Sequence, residues 1–321
     1  MNILRRLVSV SLALVVGGAL CVPAFAQTKL KVAEGSRSFT VMPLYIAIDA
    51  GYFAEKGITI DLVTMKGGPA AANALMSGDV DIAVSLAETP IKMKGQGKDL
   101  RVLTLVQDRN PCALVVPAAS KVTKLADLKG KKIGVTATGS LSDLVARAYI
   151  RAQGLQESDF ELIGLGSGAT VAAALERGQI DAAMTFTPFL TKLLTEKTGR
   201  IIYDFRKEIY PGQATLIRGS DVGGPKDAVL RNFAAAMMKA SKVIHEDRAL
   251  TSKIARNYFP DMNPQLLDSM VVNETVEIPV FSKDGKLSRA DYDWLNDFLV
   301  KNKLIAKPEK YEEVVATQLW Q

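Results

Sequence analysis

Apolar positions alternate or recur at helical spacing in short, closely spaced segments. Leu30 to Ala33 is an apolar run with strand character, and Ile58 to Val63 alternates as a half-buried strand does. Between them, Val41 to Ala50 carries apolar residues on one helical face, with Pro43 in the first turn and Gly51 beyond the end. A turn at Lys56-Gly57 separates this helix from the second strand. Leu103 to Val106 gives a further strand, so the first third of the chain reads as strands and helices in alternation with short connections. That order predicts an α/β fold with mostly parallel sheets flanked by helices.

One stretch occurs twice. Gly67 to Pro90 and Ser167 to Pro188 share Gly68/Gly168, Ala72/Ala172, Ala74/Ala174, Leu75/Leu175, Gly78/Gly178, Asp81/Asp181 and Ala83/Ala183. Each copy is a glycine loop, an alanine-rich helix, a glycine stop and a short apolar strand. In open α/β sheets ligands bind beyond the carboxyl ends of the strands, so two such units facing each other make a cleft between two lobes.

The second copy sits in a similar series. Lys132 to Thr136 and Phe160 to Leu165 are strand candidates, separated by a helix from Leu141 to Gln153 that Gly154 stops. Ser140, with Asp143 three residues on, has capping-box spacing. Leu125 to Leu128 is a short helical turn, and Ile201 to Asp204 adds a strand. Ala113 to Val116, bracketed by Pro111 and Pro117, reads as a first crossing between lobes; Ala214 to Arg218, after Pro211-Gly212, reads as the return. The expected organisation is residues 27–112 in lobe one, 113–212 in lobe two, and 213–321 completing lobe one. The tail carries an amphipathic helix from Lys226 to Glu246 and shorter helices near 250–258 and 265–273. A last helix, capped by Ser288, shows Tyr292, Leu295, Phe298 and Leu299 on one stripe. Trp294 and Trp320 are expected to be packing residues.

Composition narrows the function. The 321 residues are 48% apolar, enough for two ordinary cores. Residues 1–26 comprise Arg5-Arg6, an apolar run from Leu7 to Leu20 and Ala24-Phe25-Ala26, an export signal with cleavage expected after Ala26. Leu20 before Cys21 argues against a lipid-attachment site. Removing Arg5 and Arg6 takes the formal charge from +6 to +4, too mild to imply nucleic acid. Cys112 is then the single cysteine and His245 the single histidine, in a polar helical stretch expected to face solvent. No G-x-S-x-G elbow, Walker loop, metal-ligand spacing or calcium-loop spacing is present. No catalytic residue, metal or cofactor is assigned.

Pro43 to Val63, PLYIAIDAGYFAEKGITIDLV, resembles the opening of the nitrate, sulfonate, taurine and pyrimidine-precursor branch of ABC-transporter solute-binding proteins. The resemblance continues through Gly78-Asp79-Val80-Asp81 and Leu125 to Val135 and weakens beyond Pro188. It implies the two-lobed type II periplasmic binding fold with two interlobe crossings, a monomer in the periplasm, a small-molecule solute, and ABC permease subunits as partners. A sulfonate, taurine-like zwitterion or carboxylate is the implied cargo. A planar pyrimidine precursor, an enzyme on the same fold and a sensory binding subunit are the alternatives.

Candidate binding residues lie in the loops that end strands and start helices: Ser38, Phe39, Gly67, Gly68, Ser85, Glu88, Thr136, Thr138, Gly139, Ser140, Ser167, Gly168, Thr185 and Phe186. Free backbone N–H groups and the positive end of the helix dipole suit an oxyanion. Any one of these hydroxyls also serves as a plain helix cap. Glu88 needs Arg37 or a cationic part of the ligand as partner if the cleft closes over it. Phe39 and Phe186 either stack on a planar ligand or fill the cleft wall.

Overall fold

The computed structural model describes residues 27–208 and 210–321, and the expected export signal at residues 1–26 lies outside these residues. The first half of lobe one runs β1 (Thr28–Glu34), α1 (Met42–Asp49), β2 (Ile58–Thr64), α2 (Gly68–Ser77), β3 (Ile82–Leu86), α3 (Thr89–Lys94) and β4 (Leu100–Leu105). Lobe two follows as β5 (Ala113–Pro117), β6 (Lys132–Val135), α4 (Leu141–Ala152), β7 (Glu161–Gly164), α5 (Gly168–Glu176), β8 (Ala182–Thr185), α6 (Phe189–Thr195) and β9 (Gly199–Asp204). The return strand β10 (Gln213–Arg218) precedes helices α7 (Asp227–Glu246), α8 (Arg248–Tyr258), α9 (Pro264–Val272), α10 (Arg289–Lys301) and α11 (Tyr311–Val314).

The two five-stranded sheets have one topology. Their strand orders are β2-β1-β3-β10-β4 and β7-β6-β8-β5-β9. In each, the first three strands pair in parallel, and the fourth is antiparallel to both neighbours. That odd strand is the one delivered by a crossing: β5 enters lobe two between β8 and β9, and β10 returns between β3 and β4. Each sheet therefore keeps four strands in one direction and accepts a fifth against them.

The sequence repeat has a physical cause in this arrangement. Asp81 accepts the backbone N–H of Lys31 at 3.0 Å, and Asp181 accepts that of Lys132 at 2.9 Å. In both lobes one carboxylate just before β3 or β8 thus ties that strand to its parallel neighbour, β1 or β6. Gly67 and Gly166, with φ of +98° and +96°, turn the chain into α2 and towards α5 through backbone space that side chains rarely enter. Strands β3 and β8 are buried along their whole length, which accounts for their unbroken apolar character.

Most of the tail clads lobe one. Helix α7 packs on α1 and on β4 with Leu230, Phe233, Met237 and Ile244 buried. The wide turn Asn273–Glu277 instead reaches lobe two, where buried Glu274 accepts the Thr187 hydroxyl at 2.6 Å and faces Arg206 at 3.4 Å. Two expectations change. His245 is half-buried, with its ring nitrogens 3.2 Å from Phe281 O and 3.5 Å from Thr275 O, so it pins the long helix to the tail. Trp320 packs, but Trp294 is 40% exposed.

Candidate functional site

The loops at the carboxyl ends of β1, β3, β6 and β8 converge on a cleft between the lobes. It has an inner chamber of about 60 Å³ and an adjoining outer chamber of about 510 Å³ that share Gly35, Ser36, Gly67, Gly166 and Phe186. At ~10–15 Å³ per water-sized position, the inner chamber holds on the order of four waters, the scale of a tetrahedral oxyanion.

Polar groups of the inner chamber are mostly donors without charge. On the lobe-two side, Thr136, Ser140 and Ser142 form a ring of hydroxyls with Oγ separations of 2.9 to 3.1 Å. Ser140 begins α4, but its side chain turns back to the 136–137 loop and makes no cap; Asp143 accepts the Gly139 N–H instead, at 2.8 Å. The expected capping box is therefore absent, because the hydroxyl has nearer partners in the loop. The residue before helix α2 is Gly67, which has no side chain to cap with. Both helices thus present uncapped N-termini to the inner chamber, where backbone N–H groups and the helix dipole favour an anion. On the lobe-one side Gln213 donates to Thr40 at 3.0 Å, and Thr40 meets Ser38 at 2.5 Å.

The outer chamber differs. Arg37 and Lys66 line it, both exposed and, among the described residues, without an ion-pair partner. Ser167 there caps α5 conventionally, accepting the Thr170 N–H at 3.2 Å. Phe186 and Phe189 form the apolar wall. No Asp, Glu, His or Cys lines either chamber among the described residues. The nearest strand-end carboxylate, Glu34, turns into the core, where the hydroxyls of Tyr45 and Thr64 donate to it at 2.5 and 2.7 Å. Burial pushes its pKa up, against those hydrogen bonds and the nearby Arg37, which pull it down.

Of the residues singled out in the sequence, Gly67, Gly68, Ser85, Thr136, Ser140 and Phe186 line the inner chamber, and Ser167 and Gly168 the outer. Ser38 stands behind Thr40 and is buried. Five further positions do not reach the cleft, and one of them, Glu88, reverses an expectation. It is 1% exposed, and its carboxylate takes the hydroxyl of Tyr210 at 2.5 Å and pairs with Lys92 at 3.2 Å. Its partners are Tyr210 of the return crossing and Lys92 one helical turn on, not Arg37. Phe39 is a core residue against Phe281, with ring centroids 5.9 Å apart. Thr138 and Gly139 form the outside of their turn, and Thr185 is fully buried inside its strand. Gln213, Ser142 and Lys66 were not singled out. Ser142 carries a signal, a second serine two places after a loop serine, whereas Gln213 enters only because β10 is inserted beside β3.

Comparison with known proteins agrees with this architecture. YtlA of Bacillus subtilis is 24% identical over 308 residues, 94% of this chain and 91% of that one. The taurine-binding periplasmic protein of Escherichia coli is 29% identical over 199 residues, 60% of each chain. The crystal structure of the periplasmic aliphatic sulphonate binding protein SsuA from Escherichia coli superposes with a TM-score of 0.72 at 18% identity, covering 91% of this chain and 99% of that one. It has the same two-lobed α/β fold. Residues 38–247, about two thirds of the chain, match the family described as NMT1/THI5 like, and the chain belongs to that family.

Proposed function

We propose that this protein is the periplasmic solute-binding component of an ABC importer and that it captures a small organic anion without an ammonium group, such as an alkanesulfonate. The observation that carries this reading is the polarity of the cleft. The inner chamber offers helix starts and hydroxyls, the outer chamber adds Arg37 and Lys66, and neither holds a carboxylate. A sulfonate or carboxylate head fits the inner chamber, and its apolar body lies against Phe186 and Phe189. An ammonium group would find two cations and no counter-ion, so a taurine-like zwitterion is disfavoured by this charge pattern.

Both lobes contribute walls, so a bound anion touches Ser85 and Gln213 on one side and Ser140 and Ser142 on the other. Contacts that form only when the lobes meet make the closed shape the liganded one, and a permease can read that shape. The protein changes no bonds in this reading, which the kinship with a taurine-binding periplasmic protein supports.

Isothermal titration of the purified protein with ethanesulfonate, taurine, propionate and a 4-aminopyrimidine tests it. Ethanesulfonate is expected to bind about tenfold or more tightly than taurine, since an unpaired ammonium costs at least 1–3 kcal/mol. Equal or tighter binding of taurine overturns the amine-free assignment. Tight binding of the pyrimidine alone would favour the planar-ligand alternative, stacked on Phe186.

A further inference from the structure

The crossing segments separate two interlobe spaces. Pro111 and Gln213 face the ligand cleft, whereas Asn110 and Tyr210 line a second cavity of about 160 Å³. Helix α4 walls both: Leu141 and Ser142 at its start face the cleft, and Val145 and Tyr149, further along, face the cavity. The opposite wall of the cavity is α10, through Trp294 and Phe298.

Two aromatic triads line this space. Tyr149, Tyr203 and Phe205 pack together with centroids 4.2 to 5.1 Å apart, and Tyr210, Trp294 and Phe298 with centroids 5.4 to 5.8 Å apart. Among the described residues no ring pair joins one triad to the other, so the cavity is the gap between them. Its volume is that of cavities that accept a benzene-sized guest, about 150 Å³. Glu208 also lines it and accepts the Tyr203 hydroxyl, which orients its carboxylate. No Lys or Arg lines the cavity among the described residues.

A neutral apolar guest would use the rings and leave the carboxylate at the edge without a counter-charge. A soft cation with a methylated surface uses both, since aromatic rings attract cations and Glu208 supplies the formal charge. We propose that this cavity is a binding site for a small organic cation of the quaternary-ammonium class, held between the two aromatic triads with Glu208 as its counter-ion. The site is separate from the cleft and does not depend on what the cleft binds.

The test compares choline with 3,3-dimethylbutan-1-ol, which has the same shape with carbon in place of nitrogen, by isothermal titration and by tryptophan emission. Trp294 is one of only two tryptophans, and its exposure makes its emission responsive to a guest. Choline is expected to bind saturably, with the neutral isostere about tenfold weaker. Glu208→Gln should weaken choline several-fold and leave the isostere unchanged. Trp294→Ala should abolish choline binding while ligand binding in the cleft and the thermal midpoint persist. Equal affinities for choline and the isostere, no saturable binding of choline, or an unchanged choline affinity in Glu208→Gln would each overturn the proposal.

Discussion

Replacing Gly35 with alanine tests the site where its walls are tightest. Gly35 begins the turn after β1, and its carbonyl accepts the Gly67 N–H at 2.6 Å. A Cβ built there would lie 2.6 Å from Gly68 N, 2.9 Å from Gly67 C and 3.0 Å from Gly68 Cα. Every one of these atoms is backbone at the start of α2, so no rotamer relieves the clash. Restoring an ordinary contact of 3.4 Å requires the helix start to move by about 0.8 Å. Overpacking of this kind costs about 1–3 kcal/mol of stability.

The consequence for binding follows from the same displacement. A binding constellation works when its groups are held within about 0.5 Å, and a hydrogen bond to a charged group contributes about 1.5–3 kcal/mol. Losing one N–H contact from α2 therefore lowers oxyanion affinity by about 10- to 100-fold. Titration with the best-binding sulfonate measures the affinity, and thermal unfolding measures the stability. Gly224→Ala is the control, because a Cβ there meets nothing within 4 Å. A Gly35→Ala protein that is destabilised but binds normally would remove the α2 terminus from the ligand site. One that is unchanged in both would refute the steric reasoning.

Three further outcomes follow. Arg37→Gln combined with Lys66→Gln should weaken sulfonate binding several-fold and flatten its dependence on ionic strength between 10 and 150 mM salt, about a fourfold change in screening length; a salt dependence like that of the parent would place the attraction elsewhere. Glu88→Gln should cost about 1–2 kcal/mol, the difference between a charged and a neutral hydrogen bond from Tyr210, while sulfonate affinity stays within twofold; a parallel loss of affinity would return Glu88 to the site. Asp108, in the first crossing, is pushed up to about 6, chiefly by burial. Its folded form takes up a proton that the unfolded chain, with an ordinary value near 3.9, does not. Stability contributed through this group therefore rises as pH falls from about 6 to about 4, and Asp108→Asn should remove that slope from the pH profile of the thermal midpoint.

What the sequence disclosed and what it hid have a common physical cause. Features fixed by contacts inside one unit were legible. Gly78 and Gly178 are required by left-handed backbone angles where α2 and α5 end, and Asp81 and Asp181 by a bond to the adjacent strand, so both lobes repeat them at the same interval. The hydroxyl ring of Thr136, Ser140 and Ser142 is also local, closed within seven residues.

Features set by the returning chain were not legible. Glu88 turns from the cleft because Tyr210, 122 residues later, offers it a hydroxyl. Phe39 is core because Phe281 reaches it from the tail, and Gln213 lines the cleft because β10 is threaded between β3 and β4. The two lobes are thus alike where each folds on itself and differ where one is completed by the other. The cleft, assembled from both, inherits that division: its helix starts and hydroxyls repeat the shared plan, while the absence of a carboxylate from its lining among the described residues depends on one crossing residue that draws Glu88 away. The charge character of the cleft is therefore a property of the return strand and its crossing as much as of the loops themselves.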